Sequence, residues 1–78
     1  MAVKRLAVEC LQAYLAENYS AAVSPCTQAA DRGQANAQRV LAELYEFGNG
    51  LPRDPTQALA WYRKAAEQGD ALAIDALR

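Results

Sequence analysis

The sequence predicts an all-α fold, an α/α superhelical solenoid of antiparallel helical hairpins, with two hairpins and one terminal helix. Three observations predict it: an alanine-rich composition, self-similarity at a fixed offset, and helix-end signals that recur with that offset. Hydrophobic residues make up 53% of the 78, and much of that fraction is alanine, which has the highest helix propensity and lets helices pack closely. Setting Gly33 on Gly69 also superposes Ala22 on Ala58, Ala29 and Ala30 on Ala65 and Ala66, Ala35 on Ala71, Ala37 on Ala73 and Leu41 on Leu77. An offset of 36 residues falls in the range of stacked helical hairpins, none of which can bury its apolar face alone.

The first helix, at about residues 3 to 16, meets the second, at about 19 to 32, across a short turn centred on Asn18. The second contains Pro25, which removes the bond to the Ala21 carbonyl; this gives either a kink or a fresh start capped by Ser24, and the kink is favoured. Tyr19, Ala22, Val23, Cys26 and Ala30 carry a helical apolar stripe through the proline. Gly33 suits the left-handed position that ends a helix, and the third helix follows at about 35 to 47. The connection "GNGLPRD" holds residues that tolerate positive φ, Gly48, Asn49 and Gly50, and Leu51 is expected to anchor it on the hairpin. Asp54 and Pro55 place a side-chain acceptor and a proline at the start of the fourth helix, at about 55 to 68. Gly69 closes that helix, and the fifth runs from about 71 to 77. The chain therefore reads as one repeat domain over 1–78, with hairpins at 1–33 and 34–69 and the first helix of a further repeat at 70–78.

The totals exclude several classes. A core of this size only marginally offsets the entropy of folding, so economical packing or an additional constraint is needed. A net charge of -1 gives no electrostatic reason to expect a nucleic-acid partner. No apolar run approaches the roughly 20 residues of a membrane span, so no membrane insertion is expected. The opening "MAVKRLAVEC" is too short in its apolar part for a signal peptide and is interrupted by Glu9. Histidine is absent, which removes the commonest general base and metal ligand, and two cysteines alone do not make a zinc site. No cofactor, no metal and no enzymatic activity are expected. "GNGLPRD" lacks the Lys-Ser/Thr ending and the preceding strand of a phosphate loop.

From Ala35 to Ala73 the residues carry a family likeness. Ala37, Leu41, Tyr45, Gly48 with Gly50, Asp54, Ala58, Trp61 with Tyr62, Ala65 with Ala66, and Gly69 follow in the order of the Sel-one-like repeat, a longer-looped relative of the tetratricopeptide repeat. Ala42 departs from the pattern, which usually has glycine there. Residues 3 to 33 are less similar, with the short turn of a tetratricopeptide hairpin, and Tyr14, Tyr19, Ala22, Ala29 and Ala30 carry that part. The resemblance implies a protein-interaction scaffold that is not itself catalytic.

Trp61 and Tyr62 lie on adjoining helical faces, so one packs within its hairpin and the other against the next; no polar groups converging beside them are evident. Cys10 and Cys26 each lie eight residues from Asn18, which sets them level, roughly 12 Å along antiparallel helices. If both face inward a disulfide can close, stabilising the hairpin by roughly 3 kcal/mol and implying an oxidising compartment such as a bacterial periplasm. Otherwise both are reduced, buried and apolar in behaviour, and a cytoplasmic protein is expected. Lys4-Arg5 and Arg63-Lys64 read as solvated pairs, with Lys64 near Glu67 or Gln68. Glu43 and Glu46 can share a face, and solvent or partner contact is the expected role.

In tetratricopeptide-like stacks the first helix of each hairpin lines the concave side. Carried over by position, that groove presents Arg5, Val8, Gln12 and Leu15, then Asn36, Arg39, Glu43 and Glu46, then Asp75. The expected function is a scaffold or adaptor that binds a protein or peptide there, chiefly through Arg39, Glu43 and Glu46. The alternative is a self-associating segment of a larger bacterial envelope assembly, a homodimer joined through Leu72, Ile74 and Leu77, which no following helix covers. An enzyme would need one cysteine to be a free, activated nucleophile.

Overall fold

A computed structural model describes residues 2–78 and contains five helices: α1 (Ala2–Leu15), α2 (Tyr19–Asp31), α3 (Ala35–Phe47), α4 (Pro55–Glu67) and α5 (Ala71–Ala76). No strand occurs among the described residues. Each helix packs on the next in sequence, and α1 also touches α3, so the chain is a stack of antiparallel hairpins. The expected helix ends agree with the observed ones to about a residue. The helix ends are determined locally, by caps. Asp54 Oδ1 accepts from the Thr56 and Gln57 amides at 3.1 and 3.2 Å, with Pro55 beside it, and Asp70 Oδ1 accepts from Ala73 at 2.9 Å.

The internal repeat is visible in the hydrogen bonds themselves. At the end of α2, Gly33 N–H donates to Ala30 and Gln34 to Ala29; at the end of α4, Gly69 donates to Ala66 and Asp70 to Ala65. Gly33 and Gly69 have φ of 90° and 91°, a left-handed geometry that glycine adopts without a Cβ penalty. The turn after α1 closes in the same way, with Asn18 N–H to Ala13, but Glu17 holds the left-handed position at φ 60°. α2 is one helix through Pro25, and Ser24 starts no new one; the Ser24 hydroxyl accepts instead from Gln28 Nε2 at 3.0 Å.

Two small cores follow from the alanine pattern. Ala7, Cys10, Ala22, Cys26, Ala29, Ala30, Ala37, Val40, Leu41 and Leu44 form the first, joined by half-buried Tyr19, Val23, Leu51 and Trp61. Ala42, Ala58, Tyr62, Ala65 and Ala73 form the second, with Tyr45, Trp61 and Ala66 against it. Trp61 thus bridges the two, and Tyr62 is buried, as stacked hairpins require. Cys10 and Cys26 are fully buried and joined by a disulfide with Cα atoms 4.6 Å apart. The buried Gln38 is satisfied: its Nε2 donates to the Ala30 carbonyl at 3.1 Å, and its Oε1 accepts from Gln68 at 2.9 Å.

The glycine loop lies against the first hairpin. Gly50 has φ 81°, and a Cβ there would stand 2.6 Å from the Tyr19 carbonyl oxygen and 3.1 Å from Val23 Cγ2. Leu51 packs beside it on the first core, the anchoring role expected of it.

Candidate protein-interaction site

The stripe Arg5, Val8, Gln12, Leu15 on α1 has helical spacing, so these side chains share a face. All four are exposed, Val8 by 51% and Leu15 by 75%. Phe47, one turn beyond Glu43 on α3, is 63% exposed. Sequence reasoning missed it because a phenylalanine at a helix end reads as core; the signal lay in its spacing from Glu43.

The polar members behave differently. Asn36, Arg39, Glu43 and Glu46 are half-buried, and Asp75 is exposed on α5. Glu43 accepts from the Tyr14 hydroxyl through Oε1 and from Arg39 Nη1 at 3.1 Å through Oε2. Arg39 Nε lies 3.4 Å from Asp70 Oδ1, an ion pair in which that nitrogen donates no hydrogen bond. Glu46 Oε1 accepts from the Tyr62 hydroxyl at 2.6 Å. Instead of facing only solvent or a partner, these carboxylates tie α3 to α1 and α4 while Arg39 ties it to the cap of α5. Asn36 Oδ1 contacts the Ala37 amide at 2.8 Å.

The tyrosines record these ties. The hydrogen bond to Glu43, with burial adding to it, pushes the Tyr14 phenol up to about 12. Burial first, then the bond to Glu46, pushes Tyr62 far above the ordinary tyrosine range. In each case a phenolate would face a carboxylate and lose a donor.

A cavity of about 270 Å³ opens beside Tyr62, lined by Glu46, Arg53, Pro55, Ala58, Leu59, Ala76 and Leu77. Polar groups therefore do converge next to this aromatic, contrary to the sequence expectation, because the loop turns back. Arg53 Nε donates to the Glu46 carbonyl at 3.0 Å and Asp54 N–H to Tyr45 at 2.9 Å. Lys64 lies over the Trp61 ring, 4.9 Å from its centre, where a cation is attracted to the aromatic face; this is a partner other than Glu67 or Gln68. Among the described residues no group of three or more potential metal ligands occurs, and no helix is long and apolar enough to cross a membrane.

Leu72 and Ile74 on α5 and Leu77 at its C-cap are exposed, Leu72 by 59%. The repeat explains it: Ala37 and Ala73 are both fully buried, but Leu41 is 1% exposed and its equivalent Leu77 is 37% exposed.

The family description "Sel1 repeat" matches residues 35–70. Over 49 residues, 62% of this chain, it is 41% identical to an ERAD-associated E3 ubiquitin-protein ligase component, HRD3A, of Arabidopsis thaliana. Over 51 residues, 65% of this chain, it is 43% identical to the chitin synthase regulator SKT5 of Saccharomyces cerevisiae, and over 50 residues, 64% of the chain, 40% identical to that regulator in Malassezia restricta. The matched segments are 7%, 7% and 4% of those proteins, so the chain spans less than a tenth of the length of these relatives. The residues that match the Sel1 repeat, 35–70, are the α3–α4 hairpin with its glycine loop and caps.

Proposed function

We propose that this chain is a non-catalytic interaction module that binds a protein or peptide across α1 and α3, with α5 at the edge. The observation that carries the reading is the exposure of Val8, Leu15 and Phe47 on two helices in contact, since large apolar side chains in water on one surface supply the energy of recognition. Arg5, Gln12, Asn36, Arg39, Glu43, Glu46 and Asp75 form its polar surround. Sel1 repeats are generally protein–protein interaction scaffolds, and the relatives named above are a ligase component and regulators. The domain is organised as a tetratricopeptide-like hairpin over 1–33, the repeat over 34–69, and α5 as the first helix of a further hairpin. The buried disulfide supports an oxidising compartment.

The test is a phage-displayed peptide selected on the immobilised protein. Leu15→Ser with Phe47→Ser should weaken its binding at least tenfold, about 1.4 kcal/mol, while the melting temperature stays within a few degrees. Selected peptides that keep full affinity for that variant would refute the surface.

A second reading rests on Leu72, Ile74 and Leu77. Their exposure on a six-residue helix and its C-cap supports self-association through α5. Light scattering that shows a monomer at high concentration removes it.

A further inference from the structure

Asparagine stands at positions 18, 36 and 49, and only Asn18 has a hydroxyl residue two places on, in Asn18-Tyr19-Ser20. An asparagine followed at that spacing by serine or threonine, with any residue but proline between, is the acceptor pattern for N-linked glycosylation on the surface of a secreted protein. The fold puts Asn18 in such a place. It is exposed at the turn between α1 and α2, as are Ala16, Glu17 and Ser20, whereas Asn36 and Asn49 are half-buried. Tyr19 between them is half-buried on the first core, its ring 6.3 Å from that of Tyr14. The Asn18 side chain is also unused. An asparagine at a helix N-cap characteristically accepts from an amide of the first turn, yet Asn18 makes no such bond at the start of α2, while Asp54 and Asp70 make theirs on α4 and α5. The backbone holds the turn without it: the Asn18 amide donates to Ala13 at 2.9 Å, and its carbonyl accepts from Ala22 at 3.1 Å.

We propose that Asn18 is an N-glycosylation site, modified by a transferase that uses an oligosaccharide carried on a lipid diphosphate. Asn18 Nδ2 attacks C1 of the donor's first sugar. The N–C1 bond forms as the C1–O bond to the diphosphate breaks, the lipid diphosphate leaves with the electron pair, and one amide proton passes to a base of the transferase. The redox setting agrees with this. Cys10 and Cys26 lie eight residues on either side of Asn18, and their disulfide closes the hairpin with Asn18 at its apex, as expected in the oxidising compartments through which exported proteins pass. Ser20 lies in the first turn of α2 once the chain is folded, so transfer belongs to the nascent chain, before the hairpin closes. A bulky, solvated group at that apex displaces nothing afterwards, because Asn18 belongs to neither core. The inference rests on the oxidising compartment proposed above and is independent of the α1–α3 surface.

The experiment takes the whole protein purified from the organism that encodes it and reads the tryptic peptide 6–32 by mass spectrometry. That peptide holds Asn18 and both cysteines, so it reports the glycan and the thiol state together. It is expected to appear at its bare mass only after peptide N-glycosidase in ¹⁸O water, with Asn18 converted to ¹⁸O-labelled aspartate, and to take up alkylating reagent only after reduction. In a second arm the whole chain, behind a cleavable signal, is translated into microsomes. A glycosidase-sensitive mobility shift is expected there, lost in Asn18→Gln and in Ser20→Ala and kept in Ser20→Thr. All three variants are at exposed positions. A bare peptide with its disulfide intact would overturn the inference and leave the compartment standing, whereas cysteines alkylated without reduction would overturn both. No shift in microsomes, or one that persists in Asn18→Gln, would equally overturn the site.

Discussion

Reducing the bond between Cys10 and Cys26 should destabilise the fold far more than any other single change that leaves the sequence intact. The bond closes a loop with a sequence separation of 16, and on the chain-entropy model a loop of this length removes about 3 kcal/mol of freedom from the unfolded chain. Little should offset that loss. Both sulfurs are fully buried among alanine, valine and leucine, and two thiols there behave as small apolar groups without orphaned polar atoms. For a domain of this size a loss of about 3 kcal/mol lowers the melting temperature by roughly 12–24 °C. The assay is urea and thermal unfolding of oxidised and reduced protein, with alkylation and intact mass to establish the thiol state in each sample. Cys10→Ala with Cys26→Ala should follow the reduced protein, lower by the packing of two sulfur atoms. Oxidised and reduced forms that unfold within about 1 kcal/mol of each other would refute the reasoning, and so would two alkylatable thiols in the native protein.

The remaining expectations concern the ties between helices. Tyr62→Phe removes the donor to Glu46 and should cost about 1–2 kcal/mol by urea unfolding, with the fold retained by circular dichroism. The raised phenol of Tyr14 makes stability depend on alkaline pH: its contribution is full below about pH 10, the unfolded value, and is lost as pH rises through about 12. Tyr62 is shifted in the same direction, so unfolding free energy should fall steeply above pH 10, and less steeply in Tyr14→Phe. Gly50→Ala should cost about 2–4 kcal/mol, since left-handed strain adds to a backbone collision, whereas Gly33→Ala, with open space around it, should cost about 1–2 kcal/mol from the left-handed backbone alone.

The helices were legible because their ends are local events. Asp54 with Pro55, Gly33 and Gly69 act within one turn, so sequence order alone places them. The height of Cys10 and Cys26 was also readable, because distance along a helix follows from residue count. Rotation about the axis is different. Whether Glu43 meets Tyr14, or Glu46 meets Tyr62, depends on how neighbouring helices are turned, and no spacing within one helix states that. A second register is also present. The pair Arg5–Glu9 on α1 recurs as Arg39–Glu43 on α3, an offset of 34 residues, while α2 and α4 are related by 36. The longer connection after α3 shifts the phase between them. The cavity beside Tyr62 was hidden for a related reason: the return of Arg53 onto Glu46 is a loop closure with no periodic signal.

The central claim is that nested helical hairpins leave a recognition surface on α1 and α3. Cross-saturation NMR between the ¹⁵N,²H-labelled chain and a selected, unlabelled peptide tests it most directly. Saturation is expected to concentrate on the amides of Val8, Gln12, Leu15 and Phe47 and to spare α2. Saturation confined to α2, or spread evenly over the chain, would contradict it.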